Sequence, residues 1–182
     1  MPDSLQSTYG PLLEAVSFAA RAHRNQTRKD GQTPYAAHVF RVCLIARHVF
    51  RIDDPGVLTA AALHDAIEDT PTDFDDLEER FGRQAAEWAA ALCKDMRRPE
   101  KEREEEYVAH LVEAPWQVKV CKLADIFDNL MDSKHLGPQH RERTRQRSRR
   151  YLDAIGSNLP AEARGAQETV ERLFAELYPD KA

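Results

Sequence analysis

The chain lacks any apolar run close to the roughly 18 residues that a membrane-spanning helix requires. Its first ten residues contain neither a basic start nor an apolar stretch, so no signal peptide is predicted. An excess of positive charge is also missing, because 26 Lys and Arg side chains face 31 Asp and Glu, for a net charge of −5. Nucleic-acid binders normally carry a basic surface. We therefore expect a cytoplasmic protein without membrane or nucleic-acid partners.

Cysteine is scarce, and its three positions are far apart. Cys43, Cys93 and Cys121 each lie in an apolar helical pattern, without the close spacing of a Cys-based zinc site. An odd number of separated cysteines is typical of reduced core thiols in a cytosolic protein. The sequence therefore predicts no disulfide.

Alternation of apolar and polar residues, which would indicate strands, is absent, as are internal repeats and Ser/Gly-rich linkers. Apolar residues recur instead at intervals of three and four. Thr33–Pro34 and Asp54–Pro55 are typical of helix starts, and Gly82 of a helix end. Thr72 with Asp75 resembles a capping box.

These signals divide the chain into consecutive helices. Helices are predicted at about 11–26, from 33, from 54, from 72, and at 83–94, 99–112, 115–131, 138–155 and 160–177. A length of 182 residues suits one domain with a sizeable core. The sequence therefore predicts a single-domain, all-α helical bundle of about eight to nine helices over residues 11–178, after an N-terminal tail at residues 1–10.

The segment 63–70 places four ionisable residues at the end of an apolar helix. His64 and Glu68 are four residues apart, as are Asp65 and Asp69, so each pair is predicted to share a helix face, with all four side chains near the C-terminal end of the helix. Buried charge is costly without compensation. We therefore predict a functional site at this helix end.

Two more residues could complete a metal site with His64 and Asp65. His38 lies near the start of an apolar helix, and Asp125 at the end of a buried-looking run. Each is ambiguous alone, but together the four supply two imidazoles and two carboxylates. Such a mixed set suits Mn²⁺, Fe²⁺ or Zn²⁺ better than Mg²⁺ or Ca²⁺. Facing helices of a bundle can each contribute a ligand.

The sequence resembles the HD superfamily of metal-dependent phosphohydrolases, and more narrowly the hydrolase domain of RelA/SpoT proteins and the metazoan SpoT homologs, which are small alarmone hydrolases. The matching blocks occur in family order over about residues 11–156: Phe18–Arg24, Arg28–Gly31, Thr33–Tyr35 with His38, His64–Thr70, Phe81–Gly82, Lys122–Asp125 with Asn129–Leu130, and Tyr151. The combination is specific, whereas an isolated His-Asp pair would not be.

The resemblance implies roles for particular residues. The metal ligands, with manganese the usual ion, would be His38, His64, Asp65 and Asp125. The acidic pair that polarises and positions the attacking water would be Glu68 and Asp69. The residues that contact phosphates or lie near the nucleoside would be Arg24, Arg28, Lys29, Asn129 and Tyr151. Six arginines between residues 141 and 150 cannot share one helix face, and contact with substrate phosphates or a partner subunit stays open for them.

Three departures from the family pattern bear on the substrate. Ile126 follows Asp125 where the family often has a basic residue, and Asp128 stands where it usually has an aromatic residue or histidine. Leu92–Lys94 replaces a Val-Thr-Lys-like stretch. The resemblance implies hydrolysis of the 3′-pyrophosphate of guanosine tetra- or pentaphosphate. The alternatives are a phosphohydrolase for another nucleotide (a nucleoside monophosphate or NADPH) and a degenerate nucleotide-binding sensor. A homo-oligomer is compatible with the sequence.

Overall fold

Helices provide the regular structure in residues 5–156 and 159–179, which are those that the computed structural model describes. The elements in chain order are α1 (Leu5–Ala22), α2 (Ala36–Leu44) with a π-helical turn (Ile45–Val49), α3 (Pro55–Leu63), α4 (Ala66–Asp69), α5 (Phe74–Phe81), α6 (Arg83–Leu92), α7 (Glu100–Glu113), α8 (Trp116–Ser133), α9 (Pro138–Ile155) and α10 (Ala161–Leu177). Without the single turn α4 and the π-helical turn, the described residues form nine helices and no strand. The all-α prediction is confirmed. None of the described helices has both the length and the apolar character to cross a membrane.

Several helix boundaries follow directly from local sequence. Asp54 caps α3, because its carboxylate accepts hydrogen bonds from the backbone N–H groups of Gly56 (2.8 Å) and Val57 (3.2 Å). Gly82 adopts a φ of +80°, which separates α5 from α6 and which residues with a Cβ rarely adopt. Helix α9 runs from Pro138 to Ile155, as predicted.

The cap of α3 gives a stability prediction. Asp54→Ala is expected to cost about 1 kcal/mol of unfolding free energy, because two N–H groups lose their acceptor. Urea denaturation measures this. The matched control is Asp53→Ala, which removes only an exposed ion pair with Arg47 and should change stability little. Equal effects of the two substitutions would contradict the capping role.

Two predicted starts are wrong. Helix α1 begins at Leu5 and not near Pro11, so residues 5–10 are helical. Gly10 and Pro11 both disfavour a helix interior. The fixed φ of proline is nevertheless compatible with a helix. Pro11 destabilises α1 only through a lost hydrogen bond and crowding of the preceding turn. Helix α2 begins at Ala36, because the Thr33 hydroxyl donates to Asp30 (2.6 Å) and closes the preceding loop instead of capping the helix.

The capping box of α5 lies one residue later than predicted. Asp73 accepts from the backbone N–H of Asp76 (2.9 Å), and Asp76 accepts from that of Asp73 (3.2 Å). The hydroxyl of Thr72 instead accepts a hydrogen bond from the hydroxyl of Thr70 (2.8 Å). The helix itself forms where it was expected.

Helix α8 is central and packs against α2, α3, α6, α9 and α10. Most of its residues are buried, including Lys122, Asp125 and Asp128. Helix α3 beside it is buried throughout from Val57 to Leu63, which explains its apolar character on every face. The ends of these buried helices therefore bring polar side chains to the edge of the core. All three cysteines are free thiols, Cys121 buried and the other two half-buried, as predicted.

Candidate active site and metal centre

The segment predicted as one continuous helix end is broken at His64 and Asp65. Helix α3 ends at Leu63, and Asp65 has φ −105° and ψ 0°, a sparsely populated conformation where active-site residues often lie. The single turn α4 follows. The predicted sharing of helix faces is therefore wrong. The turn instead brings Asp65, Glu68 and Asp69 to the wall of one cavity, while His64 is buried behind it.

Four side chains converge from α2, the His64–Asp65 turn and α8. Nε2 of His38 lies 3.3 Å from Nε2 of His64 and 3.5 Å from Oδ2 of Asp65. Donor atoms of these three residues all lie within 4.8 Å of one another, close enough to hold one metal ion. Asp125 lies beside them, its Oδ1 being 3.3 Å from Nε2 of His38 and 4.0 Å from that of His64. The structure thus brings all four predicted ligands together.

The hydrogen bonds at the Nδ1 atoms of His38 and His64 show whether these four side chains suit a cation. Nδ1 of His64 lies 2.8 Å from the carbonyl oxygen of Ala61, and Nδ1 of His38 lies 2.6 Å from a carboxylate oxygen of Asp128. Both partners only accept, so each Nδ1 carries a proton, and each ring turns its Nε2 towards the other. Two Nε2 atoms at 3.3 Å among carboxylates need positive charge between them, either a proton or a metal ion that replaces it. The donor set therefore fits a divalent metal ion.

The electrostatic field at this point favours positive charge. Burial alone would lower the pKa of His38, but hydrogen bonds with Asp125, Asp128 and Asp65 raise it to about 10. Burial would likewise raise the pKa of Asp125, but Lys122 and His38 lower it. The negative potential that holds protons on the imidazoles is also what attracts a metal ion, which would replace those protons.

Beside this group, two carboxylates are held in place by specific donors. Glu68 accepts from the backbone N–H of Lys94 (2.8 Å), and Asp69 accepts from the hydroxyl of Tyr35 (3.0 Å). The single hydrogen of this hydroxyl is shared between Asp69 and Oδ2 of Asp65, which lies 2.7 Å away. Burial raises the pKa of Glu68, and burial together with the charge of Asp65 raises that of Asp69. Both carboxylates are therefore better proton acceptors than exposed ones.

A cavity of about 440 Å³ opens over these groups. Of the residues that the sequence predicts to bind substrate, those that line it are Arg28, Lys29, Asn129 and Tyr151. Arg24 is exposed and is not among the lining residues. The cavity is large enough for much of a nucleotide.

Residues 15–165 match the HD domain family. The chain belongs to this family. Its sequence is 36% identical over 176 residues to guanosine-3′,5′-bis(diphosphate) 3′-pyrophosphohydrolase MESH1 of Danio rerio, covering 96% of each chain. The human protein of the same name is 36% identical over 165 residues, 90% of this chain and 92% of the relative. The bifunctional (p)ppGpp synthase/hydrolase SpoT of Escherichia coli K12 is 32% identical over 93% of this chain, which spans 24% of that longer protein.

Solved structures agree with this membership. A metazoan ortholog of SpoT, described as hydrolyzing ppGpp and acting in starvation responses, superposes with a TM-score of 0.79 at 28% identity, covering 94% of this chain and 97% of that one. A protein of Listeria monocytogenes EGD-e has the same fold, with a TM-score of 0.63 at 22% identity over 79% of this chain and 95% of its own.

In this HD domain, two of the predicted substrate contacts are tied to one another. Arg28 donates to Asp132 (2.9 and 3.1 Å) and to Asn129 (2.9 Å). Asn129 in turn donates to Oδ1 of Asp125 (2.5 Å). Both side chains therefore brace the cavity wall as well as line it.

Tyr151 is also anchored by its neighbours. Its hydroxyl donates to Glu104 (2.5 Å), and its ring lies 4.9 Å from Nζ of Lys122. Lys122 pairs with Oδ2 of Asp125 at 2.7 Å. This tyrosine is 2% exposed, so the cavity meets only a small part of it.

Four further cationic residues line the cavity: Lys94, Lys122, Arg143 and Arg147. The sequence analysis gave no binding role to Lys94 and Lys122, and it left phosphate contact open for the arginines of residues 141–150. Arg143 and Arg147 are four residues apart and lead to Tyr151 four residues later, a spacing that marks one face of α9 and could have revealed them. Arg145, between them, instead pairs with Glu142 at 2.7 Å on the exposed side.

These cations act on one another inside the cavity. The pKa of Lys29 is lowered by burial and by the nearby guanidinium groups of Arg147, Arg28 and Arg143. Such mutual repulsion is relieved when an anion binds among them. The cavity thus combines a carboxylate and imidazole floor with a cationic wall.

Of the two single-residue departures from the family pattern, one lines the cavity and the other does not. Ile126 lines the cavity, where it can affect the substrate. Asp128 is 2% exposed and does not line it, and its carboxylate contacts His38 instead.

Proposed function

We propose that this HD domain is a divalent-metal-dependent hydrolase that removes the 3′-pyrophosphate of guanosine tetra- or pentaphosphate and forms GDP or GTP and pyrophosphate. One observation carries the proposal: a two-histidine, two-aspartate donor set, an acidic pair and a cationic wall lie around one cavity, with His64 buried just behind its surface. The choice of substrate is supported by the names of relatives that are about one-third identical over almost the whole chain.

The proposed metal ligands are His38, His64, Asp65 and Asp125, and the proposed ion is Mn²⁺. Two imidazoles and two carboxylates suit this ion better than Mg²⁺ or Ca²⁺. When bound, such an ion lowers the pKa of a water ligand and polarises a phosphate oxygen.

Glu68 and Asp69 are the proposed catalytic carboxylates. Their raised pKa values favour acceptance of a proton from the attacking water. The N–H of Lys94 fixes Glu68, and the hydroxyl of Tyr35 fixes Asp69, so neither carboxylate needs to reorient during the reaction. The two groups therefore orient and deprotonate the nucleophile.

The cationic residues of the cavity are the proposed phosphate-binding groups. They are Arg28, Lys29, Lys94, Arg143 and Arg147. Guanidinium groups can bind phosphate oxygens through two parallel hydrogen bonds. Asn129 and Tyr151 are proposed to lie near the nucleoside, and the exposed Arg24 would contact only a part of the substrate outside the cavity. A cytoplasmic location and a homo-oligomeric state stay predictions from the sequence.

Arg147→Met is expected to raise KM for guanosine tetraphosphate about tenfold or more, because one charge-assisted hydrogen bond to a phosphate contributes about 1.5–3 kcal/mol. Steady-state kinetics with Mn²⁺ measures this. The matched control is Arg145→Met on the same helix, whose guanidinium pairs with Glu142 outside the cavity. A similar rise in KM for the control, or no rise for Arg147→Met, would show that the cationic wall does not bind the phosphates.

The substrate assignment is tested by a hydrolysis panel with Mn²⁺. Guanosine tetraphosphate, NADPH and nucleoside monophosphates are incubated with the purified protein, and the products are separated by ion exchange. The proposal predicts pyrophosphate from the first substrate. Inorganic phosphate from only the other two would replace it with a different phosphohydrolase activity, and binding without turnover would leave a nucleotide sensor.

A further inference from the structure

The carboxylate of Asp128 is buried directly behind the proposed metal centre. Its side chain is 3% exposed, and its Oδ2 lies 2.6 Å from Nδ1 of His38. It contributes nothing to the cavity wall. A buried carboxylate carries a large desolvation cost, so its presence calls for close partners.

Arg41 is the second partner of Asp128. Its Nε lies 2.5 Å from Oδ1 and its Nη2 2.9 Å from Oδ2, so the guanidinium holds both carboxylate oxygens. Arg41 follows His38 by three residues on α2, and Asp128 follows Asp125 by three on α8. Residues three apart share a helix face, so α2 presents His38 and Arg41 to the two aspartates of α8.

The two histidines of the centre are oriented in different ways. Nδ1 of His64 donates to the backbone carbonyl of Ala61, a partner that any sequence would supply there. Nδ1 of His38 depends on one side chain, Asp128.

We propose that Asp128 is a positioning residue that holds His38 in the tautomer with its proton on Nδ1, and so presents Nε2 to the metal ion, while Arg41 keeps Asp128 in place. A carboxylate behind a ligating imidazole fixes the ring and makes it a stronger donor. This inference rests on the proposed metal centre. It predicts that metal affinity depends on a residue that contacts neither metal nor substrate.

The test measures Mn²⁺ affinity of metal-free protein by competition with a chelating dye. Asp128→Asn and Asp128→Ala are each expected to weaken Mn²⁺ binding about 10- to 100-fold. The matched control is Asp132→Asn, because Asp132 pairs with the same Arg41 (2.9 Å), whereas the carboxylate bonded to Nδ1 of His38 is that of Asp128. Its Mn²⁺ affinity should stay at the wild-type value.

A second readout separates positioning from a general structural role. In Zn²⁺-loaded protein, which is diamagnetic, the Nδ1 proton of His38 should give a sharp NMR signal in the wild type and exchange with water in Asp128→Ala. Should that variant fail to fold, Arg41→Met serves in its place, because the Arg41 side chain is 36% exposed and its removal takes away the guanidinium that holds both oxygens of Asp128.

The outcomes are distinct. Weaker Mn²⁺ binding in the Asp128 variants alone supports the inference. Wild-type affinity in folded Asp128 variants overturns it while leaving the metal centre intact. A wild-type protein that binds no Mn²⁺ overturns the metal centre as well.

Discussion

His64→Ala is expected to remove metal binding and lower kcat/KM for guanosine tetraphosphate by at least about 1,000-fold, or ~4 kcal/mol of transition-state stabilisation. The physical reason is geometric. His64 lies 3.3 Å from His38 and 2.9 Å from Asp65, so its loss takes one of the two imidazoles from the donor group. Metal analysis and steady-state kinetics of the purified variant measure both effects.

The thermal midpoint provides a check that does not depend on turnover. Added Mn²⁺ should raise the midpoint of the wild type, because a ligand that binds only the folded state stabilises it, and should leave that of His64→Ala unchanged. His110→Ala is the control, since this histidine is exposed on α7 and does not line the cavity. Full activity of metal-free protein, or of His64→Ala, would contradict a metal-dependent reaction.

Glu68→Gln is expected to lower kcat about 100- to 10,000-fold while Mn²⁺ still binds. Glutamine has the same shape and can still accept the hydrogen bond from the N–H of Lys94, but it cannot take a proton at neutral pH. The substitution therefore removes proton acceptance and little else. Single-turnover kinetics with saturating substrate, together with metal titration, separates the chemical step from binding.

The matched control for this prediction is Glu105→Gln, an exposed glutamate on α7 outside the cavity. It should behave as the wild type. If Glu68→Gln kept its kcat, Asp69 would have to act as the proton acceptor alone. A loss of metal binding in Glu68→Gln would instead place Glu68 among the ligands.

Local signals in the sequence predicted much of the helical framework. Asp54 with Pro55 marked the start of α3 because both the cap and the proline act on neighbouring backbone groups. The start of α1 was missed because residues 5–9 are largely exposed and offer no apolar stripe, while Gly10 and Pro11 suggested a boundary. The break after Leu63 was missed for a different reason, since no glycine or proline marks it.

The proposed site was partly predictable because its ligands belong to recognisable motifs. His38, His64, Asp65 and Asp125 come from separate segments, and only the fold shows that their donor atoms converge. Lys94 was named only as part of the Leu92–Lys94 departure and was given no binding role, because it follows the end of α6 and reaches the cavity through the packing of α6 and α8.

Asp128 illustrates the limit most clearly. In the sequence it is a departure from a family pattern whose place suggested an effect on the substrate. In the structure its carboxylate lies behind His38 and outside the cavity wall. Spacing in the sequence does not show whether Asp128 lies on the cavity side of His38 or behind it, because that depends on how the helices pack.

Hydrolysis of guanosine tetraphosphate in ¹⁸O-labelled water tests the central claim most directly. The metal-loaded wild-type protein reacts for a single turnover, and mass spectrometry locates the label. Attack of water on the phosphorus bonded to the 3′ oxygen breaks that P–O bond, so one ¹⁸O atom should enter pyrophosphate and none should enter GDP. Labelled inorganic phosphate, labelled GDP or an absence of turnover would contradict the account.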